Sequence, residues 1–243
     1  IQTINALEVI NTNLAGENPK IYGELIVFEQ NNEIKIYNIK TEQTKTISKG
    51  NNPSLFANII VFQTSEKQAN EDLNNDGDKE DTIIQYYNIK EETITNTKQI
   101  GKNPTIYSNK IAFTVNEKEA EIDLNNDGDQ EDDVIMIYDV LTKKITNTKA
   151  TGNHPSAGPQ YIAFETQEKQ QGYDLNGDGD KDDTIIRTYQ YNTGGIENTY
   201  TTGEKPQNDA DIITFSSNNE IIIYYADSGE QILSLIHIWR CRR

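Results

Sequence analysis

Three acidic runs recur 51 residues apart: DLNNDGDKED from Asp72, DLNNDGDQED from Asp123 and DLNGDGDKDD from Asp174. Counted from the first Asp, position 1 is Asp72, Asp123 or Asp174 and position 3 is Asn74, Asn125 or Asn176. Position 5 is Asp76, Asp127 or Asp178, followed by Gly77, Gly128 or Gly179 and then by Asp78, Asp129 or Asp180 at position 7. Oxygen donors at alternate positions around a sharp glycine bend suit a hard cation, and Ca2+ takes roughly six to eight of them. Position 7 can offer its backbone carbonyl, its carboxylate or both. An EF-hand would need Glu at position 12, but Ile83, Val134 and Ile185 stand there, so an EF-hand is excluded. The closing carboxylate therefore comes earlier. Asp81, Asp132 and Asp183 hold position 10 in every copy, whereas position 9 varies among Glu80, Glu131 and Asp182.

The competing interpretation is a solvated acidic loop, the usual fate of a charge run. Against it stand the fixed glycine, the alternating ligand types and the repetition in register. Five carboxylates within ten residues also repel one another unless a cation neutralises them. About three Ca2+ ions are expected, one per loop. Mg2+ prefers a strict octahedron, and zinc or iron would call for His or Cys, which the loops lack.

Charge elsewhere is nearly balanced. The segments Glu71–Asp81, Glu121–Asp133 and Asp174–Asp183 hold six, seven and five acids against Lys79 and Lys181, and so carry almost the whole net charge of −17. No basic patch offers itself to nucleic acid, and no apolar run is long enough to span a membrane. No nucleophile motif such as Gly-x-Ser-x-Gly occurs. His154 takes the place of an Asn in a recurring turn and is read as turn variation.

The loops sit inside a larger repeat. Gly16, Gly50, Gly101, Gly152 and Gly203 are each followed three residues later by Pro, and twelve residues later by Phe28, Phe62, Phe113, Phe164 or Phe215. A second run then ends near Tyr37, Tyr87, Tyr138, Tyr189 and Tyr225, and a short polar-alternating run such as ITNT closes the unit. Each unit reads as four short strands, rich in Ile, Val, Tyr and Thr and parted by Gly, Pro, Asn and Asp. Four-stranded repeats of this size predict an all-β chain, a β-propeller, in preference to a sandwich or solenoid. The difference between 34- and 51-residue units lies entirely between the second and third strands, where the acidic runs are.

The stretch GKNPTIYSNKIAF…VIMIYDVLTKKITNT resembles the TolB-type β-propeller repeat, over Gly16 to about Ile232. That resemblance implies propeller blades of a kind found in scaffolds, envelope proteins and non-catalytic domains of peptidases. The acidic loops are in turn similar to those of integrin-type (FG-GAP) propellers, which close at position 9. Glu80, Glu131 and Asp182 therefore stay as the alternative to position 10.

Residues 1–232 are expected to form the propeller, with 1–15 supplying a closing strand to the last blade or the ring continuing beyond five units. The chain opens without Met, as a fragment or processed chain would. LSLIHIWRCRR, residues 233–243, carries the only Trp and Cys and reads as an in-frame sequencing-adapter translation. The expected protein is a monomeric, non-catalytic calcium-binding module at a cell surface or in the periplasm, with a protein or glycan as ligand. The alternative is the propeller domain of a peptidase or polysaccharide-active enzyme.

Overall fold

The computed structural model describes residues 11–209, 211–226 and 230–233. They form five antiparallel four-stranded sheets, each with its strands in chain order. Blade 1 is β1 (Glu17–Tyr22), β2 (Leu25–Gln30), β3 (Glu33–Asn38) and β4 (Gln43–Lys49). Blade 2 is β5 (Asn51–Phe56), β6 (Ile59–Ser65), β7 (Thr82–Asn88) and β8 (Thr93–Ile100), with helix α1 (Glu66–Ala69) after β6. Blade 3 comprises β9 (Lys102–Tyr107), β10 (Lys110–Asn116), α2 (Glu117–Ala120), β11 (Asp133–Asp139) and β12 (Ile145–Thr151). Blade 4 comprises β13 (Asn153–Ala157), β14 (Tyr161–Gln167), α3 (Glu168–Gln171), β15 (Thr184–Gln190) and β16 (Ile196–Thr202). Blade 5 is β17 (Glu204–Asp209), β18 (Ile212–Ser217), β19 (Glu220–Tyr225) and β20 (Glu230–Leu233).

The fourth strand of the last blade is thus β20, and residues 11–16 form no strand. Residues 1–10 of the expected closing strand and residues 234–243 of the expected adapter-derived tail lie outside the described residues.

The Gly–Phe spacing has a steric cause. A Cβ at Gly101, Gly152 or Gly203 would overlap the ring of Phe113, Phe164 or Phe215, so only glycine lets the chain enter its first strand across that ring. Two residues later the backbone turns left-handed at Asn18, Asn52, Asn103, His154 and Lys205, just before each Pro. The register of first and second strands slips there in every blade, as at Asn51/Ser54.

The core lies between blades. Val27, Ile34 and Ile36 of blade 1 pack on Leu55, Ile60, Phe62 and Tyr87 of blade 2, and the pattern recurs at the next three junctions. Phe62, Phe113 and Phe164 are fully buried, each contributing roughly 2–3 kcal/mol of apolar burial. The recurring third-strand tyrosine packs into these junctions as Tyr87, Tyr138 and Tyr189. In blade 5 that tyrosine is Tyr224, opposite Ile213, rather than Tyr225.

Hydrogen bonds stitch the junctions on one face. The left-handed N–H groups of Asn52, Asn103 and Lys205 donate to Glu29, Gln63 and Glu165 of the preceding blade, at 2.9, 2.7 and 2.7 Å. Turn residues from all five first strands surround a cavity of about 790 Å³. Gln167 and Thr184, which flank the third acidic loop, also line it. The acidic loops therefore leave and rejoin their blades on the face where this funnel opens.

Candidate metal centre

In blades 1 and 5 the second and third strands are joined by two left-handed asparagines, Asn31–Asn32 and Asn218–Asn219. In blades 2–4 the same hairpin holds one helical turn and then the acidic loop. Each helix ends on a left-handed residue, Asn70, Glu121 or Gly172, which turns the chain back toward the blade.

Loop 2 shows the common geometry. Asp123, at position 1, turns both oxygens onto backbone, accepting from Asn126 N–H at 2.7 Å and Gly128 N–H at 3.1 Å. Side chains at positions 3, 5 and 7 each accept from the N–H two residues on: Asn125 from Asp127, Asp127 from Asp129, and Asp129 from Glu131. This succession of Asx turns coils the loop on itself. The Asn125 amide also donates to Asp127 at 3.1 Å and Asp132 at 2.6 Å, bridging positions 5 and 10. Asn74 and Asn176 make the same bridges in loops 1 and 3.

The acids that converge are those at positions 7 and 10, together with a residue ahead of the run. Asp78 and Asp81 meet Glu66, Asp129 and Asp132 meet Glu117, and Asp180 and Asp183 meet Glu168, with carboxylate oxygens within 4.8 Å of one another. Position 1 is not in these triads, and position 5 lies against position 10, the Asn amide bridging the two. At position 9, Glu80 faces Lys67 at 3.5 Å, outside the triad.

Glu66, Glu117 and Glu168 went unnoticed in the sequence, although they too recur every 51 residues, six before each first Asp. All three are fully buried. Glu117 accepts from Leu124 N–H (2.7 Å) and Asn125 N–H (3.1 Å) on one oxygen, and from Asp132 N–H (3.1 Å) on the other. Glu66 and Glu168 hold their loops identically.

Protonation follows from this crowding. Burial, then the hydrogen-bonded contact with Asp127, pushes the Asp132 carboxyl up to about 7. Burial and Asp76 push Asp81 up to about 6, and burial raises Asp183. Asp76, Asp127 and Asp178 move down, chiefly because each accepts the N–H of the residue two places on. Each loop thus pairs one easily ionised carboxylate with one reluctant carboxyl, the arrangement expected where like charges share a site.

No protein-family model matches the sequence, nor does any curated protein. Solved structures do. The β-propeller domain of the Trilobed protease from Pyrococcus furiosus superposes with a TM-score of 0.60 at 14% identity, covering 92% of this chain and 71% of that one. An oligogalacturonate lyase in complex with manganese gives 0.56 at 9% identity, over 86% and 61% of the two chains. TolB from Acinetobacter baumannii gives 0.52 at 14% identity, covering 83% of this chain, which spans about half (48%) of the TolB chain. The fold is a TolB-like β-propeller. Among the described residues no helix is long and apolar enough to cross a membrane.

Proposed function

We propose that this chain is a calcium-binding β-propeller acting as a non-catalytic binding module outside the cytoplasm, with one Ca2+ held by each acidic loop. The observation that carries this reading is the threefold recurrence of one donor set. Carboxylates at positions 7 and 10 converge beside a buried Glu, and the position-3 Asn amide joins the position-5 Asp to position 10. The donors are all oxygen, which fits a hard cation and not zinc. Asp72, Asn74, Asp76, Asp78 and Asp81 would hold the ion in loop 1, Asp123, Asn125, Asp127, Asp129 and Asp132 in loop 2, and Asp174, Asn176, Asp178, Asp180 and Asp183 in loop 3. Bound calcium supplies fixed positive charge, letting positions 5 and 10 ionise together.

The binding surface is the funnel face, where the filled loops, each less acidic by two charges, rise from the blades beside a rim of turn residues. Extracellular fluid or the periplasm suits such sites, because free calcium there reaches the roughly 10⁻⁴–10⁻³ M range that fills extracellular modules. The ligand is a protein or glycan. The fold shared with a protease propeller favours a second reading, a propeller domain of a larger enzyme. A Gly-x-Ser-x-Gly region in a longer reading frame would decide for it.

The test is thermal unfolding in calcium, magnesium or chelator. With free calcium tenfold above Kd, each site adds about 1.4 kcal/mol and three add about 4 kcal/mol, if only the folded chain binds. That raises Tm by roughly 8–16 degrees. Equal melting in calcium and chelator would sink the calcium reading.

A further inference from the structure

The loops are tied to their blades by contacts that involve no metal. Besides the three N–H groups held by each buried Glu, the carbonyl of the position-2 leucine accepts a hydrogen bond from an Asn on the fourth strand of the same blade. Asn96 donates to Leu73 at 2.7 Å, Asn147 to Leu124 at 2.8 Å and Asn198 to Leu175 at 2.7 Å. Leu73 itself is buried, and Leu124 packs against the core between blades 2 and 3. Position 2 is thereby fixed through its N–H, its carbonyl and its side chain. Position 10 is fixed through its N–H by the same Glu.

Both partners accompany the loop inside this one chain. Where blades 2–4 have Glu66, Glu117 and Glu168, four residues after the Phe, blades 1 and 5 have Asn32 and Asn219 in a plain hairpin turn. Where they have Asn96, Asn147 and Asn198, blade 1 has Thr46, placed by the same strand register. A residue serving only strand packing would have no reason to track the insertion. A buried carboxylate with three N–H donors is satisfied without an ion.

We infer that Glu66, Glu117 and Glu168, assisted by Asn96, Asn147 and Asn198, are positioning residues that hold the acidic loops in their metal-binding shape before any ion arrives. The inference deepens the calcium reading and rests on it for its functional meaning, but its structural half concerns the metal-free chain. Calcium then binds a preformed loop and need not order one, so the Glu acts on affinity through the loop it holds.

The test uses the full chain in chelator, with amide hydrogen exchange read residue by residue, and then calcium titration. In the wild type the Leu124, Asn125 and Asp132 amides should be protected without metal. Glu117→Gln should accelerate their exchange at least about tenfold while loops 1 and 3 keep their protection, and should weaken calcium at loop 2 by roughly 10–100-fold. Asn147→Ala, which removes the bond to the Leu124 carbonyl and the one its oxygen accepts from Lys149 N–H but keeps the buried Glu, should do the same more mildly. Wild-type amides that are protected only after calcium is added would overturn the inference. So would a Glu117→Gln chain whose metal-free amides stay protected while loop 2 loses calcium, since Glu117 would then be a ligand. Protection that depends on Glu117 in a chain that binds no calcium would leave the clamp standing and remove the calcium reading alone.

Discussion

Asp132 and its counterparts decide how the loops respond to pH. The Asp132 carboxyl, raised to about 7 by burial and by Asp127, holds a proton in the folded, metal-free chain at acidities where an unfolded Asp, with pKa near 3.9, has lost it. Its stabilising contribution is therefore fully present below about pH 4 and is lost as pH rises through about 7. Calcium takes the place of that proton, so affinity at loop 2 should fall about tenfold per pH unit below about 7 and level off above it. Calorimetry at pH 6 in two buffers of different ionisation heat should show close to one proton released at this loop. No buffer dependence would mean that Asp132 is already ionised. The ligand pattern at positions 1 to 10 was legible from spacing alone, because alternate oxygen donors and a fixed glycine leave a mark in sequence. The buried Glu was not. A single acid ahead of an acidic run looks like surface charge until the backbone N–H groups it holds are seen, and only its 51-residue recurrence could have betrayed it.

At the scale of elements, the strands were readable because their punctuation is steric. Gly101 must lack a Cβ to pass the Phe113 ring, so Gly101→Ala should cost roughly 1–3 kcal/mol, read as a lower denaturation midpoint at unchanged spectrum. An unchanged midpoint would show that the ring can move aside. The three helices escaped notice because four residues are too few to carry a helical period. Blades 1 and 5 show that the hairpin closes without the insertion. Replacing residues 117–132 by Asn-Asn, joining Asn116 to Asp133 as Asn31–Asn32 joins Gln30 to Glu33, should therefore keep the β-rich circular dichroism spectrum. The same change should remove one calcium site. Collapse of the spectrum would make the loop part of the folding core and not an ornament upon it.

For the whole molecule, stability and metal binding are carried by different contacts. Blades adhere chiefly through buried Ile, Val, Phe and Tyr of the strands and through turn-to-strand hydrogen bonds, and the acidic loops add only an apolar leucine, as Leu124 does between blades 2 and 3. The fold class was legible because five copies of one unit reinforce each other's signal. The funnel was not legible, since it is made by left-handed turns from five separated segments that meet only when the blades stack. Gln167 and Thr184, at the root of the third loop, line that funnel, and each bound Ca2+ would make its loop less acidic by two charges. Each loop of contiguous residues should hold its calcium ion independently of the other two, and calorimetric titration of the metal-free chain measures how many ions bind. Close to three ions per chain are expected, falling to two in Asp127→Ala with the remaining affinities nearly unchanged. Fewer than two ions per chain, or the loss of every site in that single variant, would contradict it.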